Sequence, residues 1–522
     1  TINDANVEGF YKEGAGGFVD AGNGYLYVNN SVFRNNVTIT GDSYSLAGAL
    51  NGYADVVDSS FYNNSALGES KAQGGALQHK VNIYARTKDS ILEGNYSAWI
   101  GGAYNTNGVT IQGENGHYVI FSNNIAASQG GALRTGGGKT EVNNAKFLYN
   151  TAGNDGGALV TANNSSINIS NSLFKGNNAN TGGAISHVSS GTVNITDSTF
   201  ENNTATSQGG AIYNAGTISK IENSTFDGNM TNGNGAAIYN EGVIASDDMS
   251  GVETYTYTRY KVTNPDDATQ TQTYYLKTAQ DGLQTLVDAG DVLRLKVTEN
   301  KHMATAAEWT EIAEKIASGD YVTDDPRRLM KAENYWLPTD GGITNSTFTN
   351  NTAIDNISDN YTGTIGGIVY NQDSGVISNI DAKFTNNILK TDINTNPASI
   401  FNRGVIGSIS GTFEGNINNT NRSTNGTAIL NQGGYIQSID GIFRNNISSS
   451  VYGRGGVMRV SERGIIDSLS GIFEDNTSFS TSDGFGGALN INQSQINSLS
   501  GTFINNEMSS VSTAAGGAIY ME

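Results

Sequence analysis

Short runs in which apolar and polar residues alternate recur along most of the chain, as in Ile167-Asn168-Ile169 and Val193-Asn194-Ile195. A period of two is the pattern of a strand with one buried face. The Gly, Asn, Ser and Thr between the runs are turn residues. Two signatures set the rhythm. Phe-x-x-Asn occurs thirteen times between Phe33 and Phe503. Between copies stands Gly-Gly-Ala-Ile/Leu, as in Gly130-Gly131-Ala132-Leu133, Gly182-Gly183-Ala184-Ile185 and Gly486-Gly487-Ala488-Leu489. Where the copies are consecutive in the first half, the Phe-to-Phe step is 26 to 28 residues, with Leu92-Glu93-Gly94-Asn95 filling the copy missing between Phe61 and Phe121. The last three steps, from Phe413 to Phe503, are 30 residues each.

A fixed period of this size, made of strands and turns without a helix, predicts a solenoid whose units each form one coil. The expected fold is all-β, a parallel β-helix of about fifteen coils stacked at about 4.8 Å, giving a rod about 70 Å long. The motif Phe is expected to point inward and stack on the next coil's Phe. The second residue after it is Asn, Gly or Asp in every copy but one, Tyr149, which predicts a left-handed corner. The invariant Asn predicts a ladder of side-chain amides. The Gly pair predicts a tight turn, with Ala keeping that wall thin. In the second half a further rung appears in Ile406-x-x-Ile409-x-Gly411-x-Phe413 and recurs at Ile436, Ile466 and Ile496.

The repeat stops between Ser246 and Asp340, where 27 of 95 residues are charged. Tyr255, Tyr257 and Tyr260 predict a strand, Asn264-Pro265-Asp266-Asp267 a turn and Thr273–Leu276 the returning strand. Val292, Leu293 and Leu295 predict another strand, and Ala304–Ser318 an amphipathic helix ending near Gly319. The chain therefore divides into a first rod part (1–245), a small charged α+β insert projecting from the rod (246–340) and a second rod part (341–522). Insertions in solenoids map to loops on one face, often the binding face. Tyr255, Tyr257, Tyr274, Trp309, Tyr335 and Trp336 are the candidate binding residues, as an aromatic platform for a sugar or protein. The alternative is that they form the insert's own core.

Composition narrows the function classes. The net charge of −20 disfavours nucleic acid and anionic membrane surfaces as partners. The chain has no Cys, and its continuous core dispenses with disulfides. No apolar run is long enough for a transmembrane helix. His79, His117, His187 and His302 are scattered without metal-ligand spacing, so neither metal nor cofactor is expected. No nucleophile elbow or phosphate loop stands in its required context. Carboxylates are the serious enzyme question. The position after the motif Phe gives Lys175, Glu201 and Asp227 on consecutive coils, with Glu201 over Asp227 a solvated like-charge pair, then Glu414, Arg444 and Glu474, which alternate in sign and read as a surface ladder. No catalytic residues are assigned, and the chain is not expected to be an enzyme. The segments Gly16-Gly17-Phe18-Val19 and Gly516-Gly517-Ala518-Ile519 leave neither end capped, as in a piece of a longer protein or one that stacks end to end.

Phe-x-x-Asn alternating with Gly-Gly-Ala-Ile resembles the passengers of polymorphic outer-membrane proteins and autotransporter adhesins of Gram-negative bacteria. The resemblance covers the whole chain except the insert. It implies a right-handed β-helix, secreted through an outer-membrane barrel and displayed on the bacterial cell surface, commonly as an adhesin. It transfers no catalytic residue, and any membrane attachment would run through a barrel or anchor outside this sequence. The leading expectation is an extracellular adhesin passenger binding a host or bacterial surface protein or glycan. The alternatives are a structural protein self-associating into fibres or matrix, and a polysaccharide-degrading β-helix enzyme.

Overall fold

A computed structural model of the chain describes residues 1–14, 17–39, 45–68, 71–247, 251–267, 270–354, 366–391 and 399–522; Gly16, expected to open a repeat, lies outside them. The chain winds into a parallel β-solenoid of about 17 turns, slightly more than the fifteen expected. One side is a 15-stranded parallel sheet running from Tyr11–Glu13 to Glu507–Ser510. The other sides merge into a 39-stranded sheet that carries both sequence signatures. Register is set by identity: Phe147, Phe174, Phe200 and Phe226 are direct partners on successive coils, as are Leu159, Ile185, Ile212 and Ile238.

The narrow core is filled by those columns. Phe rings on consecutive coils stack nearly parallel, with centroids 4.7 Å apart for Phe147–Phe174 and 4.6 Å for Phe473–Phe503. Leu92 takes the rung between Phe61 and Phe121 and is equally buried. All thirteen second residues after the Phe adopt left-handed φ, Tyr149 at 56° included. The invariant Asn forms the ladder, with a bonding pattern that ties coils rather than its own backbone. The Asn203 side chain donates to Asn229 Oδ1 (2.9 Å) and to the Phe174 carbonyl (2.9 Å), while its backbone N–H donates to the same Oδ1 (3.0 Å). Every such Asn from Asn36 to Asn476 is fully buried, so the ladder satisfies polar groups at corners where the sheet hydrogen bonds turn away.

The two glycines of the second signature serve different ends. Gly182 holds φ at +61°, whereas at Gly183 a Cβ would fall 2.1 Å from the Gly210 carbonyl oxygen of the next coil. Backbones approach too closely there for any side chain. The change of period from 26–28 to 30 residues also has a local form. In the first half Asn171, Asp197 and Asn223 break the wall with left-handed corners (φ 48°, 48° and 50°). In the second half Val405–Glu414, Tyr435–Arg444 and Ile465–Glu474 run on as single strands of 10 residues. Of the expected ladder, Arg444 pairs with Glu414 at 3.0 Å, and on earlier coils Lys175 pairs with Glu201 at 2.7 Å.

The solenoid closes over the insert as if it were absent. Lys220 and Ile221 pair with Gly342 and Ile343, and Phe226 stacks on Phe348 at 4.7 Å. A neck of two strand ends, with Ser246 N–H donating to the Asp340 carbonyl at 2.9 Å, marks where the segment leaves and returns. No helix among the described residues is long and apolar enough to cross a membrane.

Candidate functional site: the cleft between insert and rod

The insert is built on a four-stranded sheet. Glu253–Thr263 lies between Leu293–Met303, which runs parallel to it, and Thr271–Leu276, which runs antiparallel and pairs in turn with Tyr321–Val322. The expected hairpin and third strand are therefore present. So is the expected helix, α2 (Ala306–Ser318), with a Thr305–Glu308 capping box and Gly319 in a left-handed C-cap. A further helix, α1 (Lys277–Ala289), was not expected; Leu283 and Val287 are its buried residues.

Alternation along the strands sorts the side chains into two faces. Tyr260, Val262 and Tyr274 pack beneath α2 with Ile312, Trp309 and Tyr321. Arg259, Lys261, Tyr275, Glu299 and Lys301 line a cleft toward the rod. Beside the cleft an apolar cluster seats the insert on the coils that follow it: Leu283, Val287, Leu293 and Leu295 meet Val376, Val405 and Tyr435 of the rod. Tyr335 of the insert stacks on Tyr435 at 4.8 Å. The insert thus lies along the rod rather than standing off it.

The floor of the cleft is an ion network. Asp373, on a rod turn and with only 1 % of its side chain exposed, receives Arg259 of the insert at 2.8 Å and Arg403 of the rod at 3.0 Å, and also pairs with Arg327. Asp325 of the insert accepts from Arg327 (2.7 Å), Arg259 (3.2 Å), the Tyr257 hydroxyl (2.7 Å) and the Tyr275 hydroxyl (3.1 Å). Burial alone would raise the Asp373 carboxyl. The charges of Arg327, then Arg403 and Arg259, outweigh it and hold the group well below the usual carboxylate range. Asp325 is held down in the same way, against its burial, mainly by Arg327. Three guanidinium groups around two carboxylates leave the floor with one surplus positive charge.

The six aromatic candidates do not assemble into an exposed platform. Tyr257, Tyr274 and Tyr335 are buried, and Tyr274 is sandwiched between Tyr260 (4.9 Å) and Tyr321 (4.4 Å). Tyr255 is half-buried, with its hydroxyl donating to the Ala279 carbonyl at 2.7 Å. Trp309 and Trp336 pack against the two apolar clusters of the insert. The physical reason is size: a segment this small draws its core from its largest side chains. Only Tyr335 also borders the cleft. The residues that build the cleft, Arg259, Asp325, Arg327, Asp373 and Arg403, were missed. Their one sequence signal was the charge density of the insert. Among the described residues no three His, Asp or Glu side chains converge as a metal site requires.

A model of the Chlamydia polymorphic membrane protein repeat matches residues 118–136, 197–215 and 223–241, and each match contains one Phe-x-x-Asn and the Gly-rich turn after it. The chain carries Chlamydia polymorphic membrane protein repeats. No curated protein and no solved structure matches it. These repeats and the solenoid together fit a surface-exposed autotransporter passenger, and the repeat family points to the outer membrane or cell surface.

Proposed function

We propose that the chain is a cell-surface adhesin passenger, in which the coils are a stiff stalk and the cleft between insert and rod is the contact for a host or bacterial receptor. The observation that carries this reading is the cleft itself. It has a volume of about 890 Å³ and is lined jointly by the insert and by rod residues from Gln208 to Gln495. A spacer or simple flap has no need of such a joint groove, whereas concave sites with convergent polar groups are where ligands bind. The chemistry favours binding over turnover. Glycoside hydrolysis needs a carboxylic acid that keeps its proton near neutral pH, and both buried carboxyls of the cleft are held ionised by arginines.

The test is attachment of the purified chain, coupled to beads, to cultured host cells and to bacteria. Saturable attachment that soluble chain competes away supports the reading. Failure to attach to either, with concentration-dependent filaments instead, moves the function to an extracellular fibre or matrix. Release of reducing ends from polysaccharide would make it an enzyme.

A further inference from the structure

The cleft opposes the charge of the molecule around it. The chain carries a formal net charge of −20, yet seven basic and four acidic side chains line this groove. Two of the basic groups are placed to meet a ligand. Lys261 has no carboxylate within ion-pair distance among the described residues. Burial, followed by the neighbouring charge of Lys301, pushes its ammonium below the usual lysine value. Arg463 is exposed and likewise without an ion pair among the described residues. It stands with Glu462 in a turn where both adopt left-handed φ (62° and 52°), while the preceding coil turns through Gly433. Two consecutive non-glycine residues in that region cost on the order of 1–2 kcal/mol each. Holding such strain at the rim of a cleft suits a functional side chain.

The remaining lining is amide. Gln208 and Asn234 are bridge partners just before the Gly turns of their coils, whereas Gln372, Gln432 and Gln493 stand at or just after the end of the strand that follows that turn on later coils, and Gln495 opens the next strand. They occupy five of seven consecutive coils, over about 29 Å at about 4.8 Å per coil, and the two other coils present Arg403 and Glu462 with Arg463. A side-chain amide both donates and accepts, so amides spread along the groove match the hydroxyls of a linear sugar chain, while the cations match carboxylates. Bases find no stacking surface here: the lining rings Tyr239, Tyr370 and Tyr335 are only 3 %, 5 % and 8 % exposed, and single-stranded nucleic acid is held by exposed aromatic platforms. A densely sulfated or phosphorylated polymer would also meet the repulsion of the acidic surface beyond the cleft.

We infer that the groove between insert and rod binds a linear oligosaccharide bearing carboxylate groups, such as a uronate-containing glycan. The sugar chain lies along the groove against these amides, with its carboxylates toward Lys261 and Arg463. This deepens the adhesive reading and rests on it, because the receptor contact becomes an acidic glycan.

Calorimetric titration of the full chain with hyaluronan and galacturonate oligosaccharides tests it, alongside a neutral cello-oligosaccharide, a heparin fragment and single-stranded DNA. The carboxylated oligosaccharides should bind, the neutral one should not, and affinity should fall as salt rises. The double variant Lys261→Gln/Arg463→Gln, at positions outside the apolar clusters, should melt like the parent and bind about tenfold or more weakly. Lys301→Gln gives a second, independent loss. Binding confined to heparin or DNA, equal binding of the neutral chain, or unchanged affinity in both variants overturns the inference. Cell attachment by the same preparations separates the two readings. Attachment without carboxylated-glycan binding leaves the adhesive reading standing and this one refuted. Glycan binding by the cleft without attachment to any cell does the reverse.

Discussion

Asn229 and Asn351 stand 122 positions apart in the chain, yet the Asn229 side-chain amide donates to Asn351 Oδ1 at 3.0 Å. The ladder therefore passes the insert without missing a rung, and each rung from Asn36 to Asn476 is buried. Truncating one rung should be costly. Asn203→Ala would leave the Phe174 carbonyl and the Asn177 side chain without their partner, at on the order of 1–3 kcal/mol per orphaned group. Urea unfolding should show a lowered midpoint, well beyond that of an exposed Asn→Ala change such as Asn180.

The aromatic column should tolerate shape better than loss. Phe200→Ala opens a void between Phe174 and Phe226 and should cost about 3–5 kcal/mol. Phe200→Leu should cost much less, because Leu92 already fills one rung of the same column. Thermal melts of the two variants check the ordering.

Tyr149 is the one corner residue after the motif Phe that is not Asn, Gly or Asp, and it holds φ at 56°. Its ring lies against Gly176 and is half exposed. Tyr149→Asn should relieve about 1 kcal/mol of backbone strain and raise the melting temperature. A fall would mean that the ring's contact outweighs the strain.

Burial holds the His187 imidazole down to about 4, with hydrogen bonds to the Thr217 and Gly191 backbone opposing it. Unfolded, the same side chain has a pKa of about 6.5. The neutral form is thus favoured by the fold. Its contribution is full above about pH 6.5 and declines as pH falls toward the folded value, by roughly 3 kcal/mol in all. The difference in stability between the parent and His187→Asn should shrink across that window.

Asp373 titrates in a different window. Its folded pKa is depressed, so its contribution is present above the unfolded value of about 3.9 and is lost as pH falls through the folded one. Insert docking should hold from pH 5 to 8 and loosen in stronger acid. Asp373→Asn leaves Arg259, Arg327 and Arg403 facing one another and should cost about 3–5 kcal/mol. Hydrogen exchange should report this as opening of α1 and Leu293–Met303, with the Phe column still protected.

The rod was readable because stacking forces the same side chain into the same place on every coil, so Phe, Asn and Gly repeat where geometry repeats. The expected coil number was slightly low, because a coil such as the first, where Val7 takes the place of the motif Phe beneath Phe33, carries no Phe-x-x-Asn. The insert was readable where local pattern decides, as in α2 with its cap and in the Tyr-rich hairpin. Helix α1 was not legible although Leu283, Leu286 and Val287 have helical spacing, because it has no side-chain cap at Leu276, no acidic first turn and no basic last turn. The cleft was not readable at all. Arg259, Asp325, Arg327, Asp373 and Arg403 are spread over 145 positions, and only the docking of one folded unit on another brings them together. The aromatic candidates failed for the converse reason: their composition is the same for a binding platform and for a small core.

The most direct measurement is attachment by the intact chain and by a version in which Ser246–Asp340 is replaced by a short Gly-Ser link across the neck. The Ser246–Asp340 hydrogen bond places the two ends side by side, so the shortened rod should retain its β-solenoid circular dichroism. Attachment should then be lost while the rod remains folded, as expected if the cleft is the contact. Undiminished attachment by a folded, insert-free rod would place the contact on the coils and contradict the account.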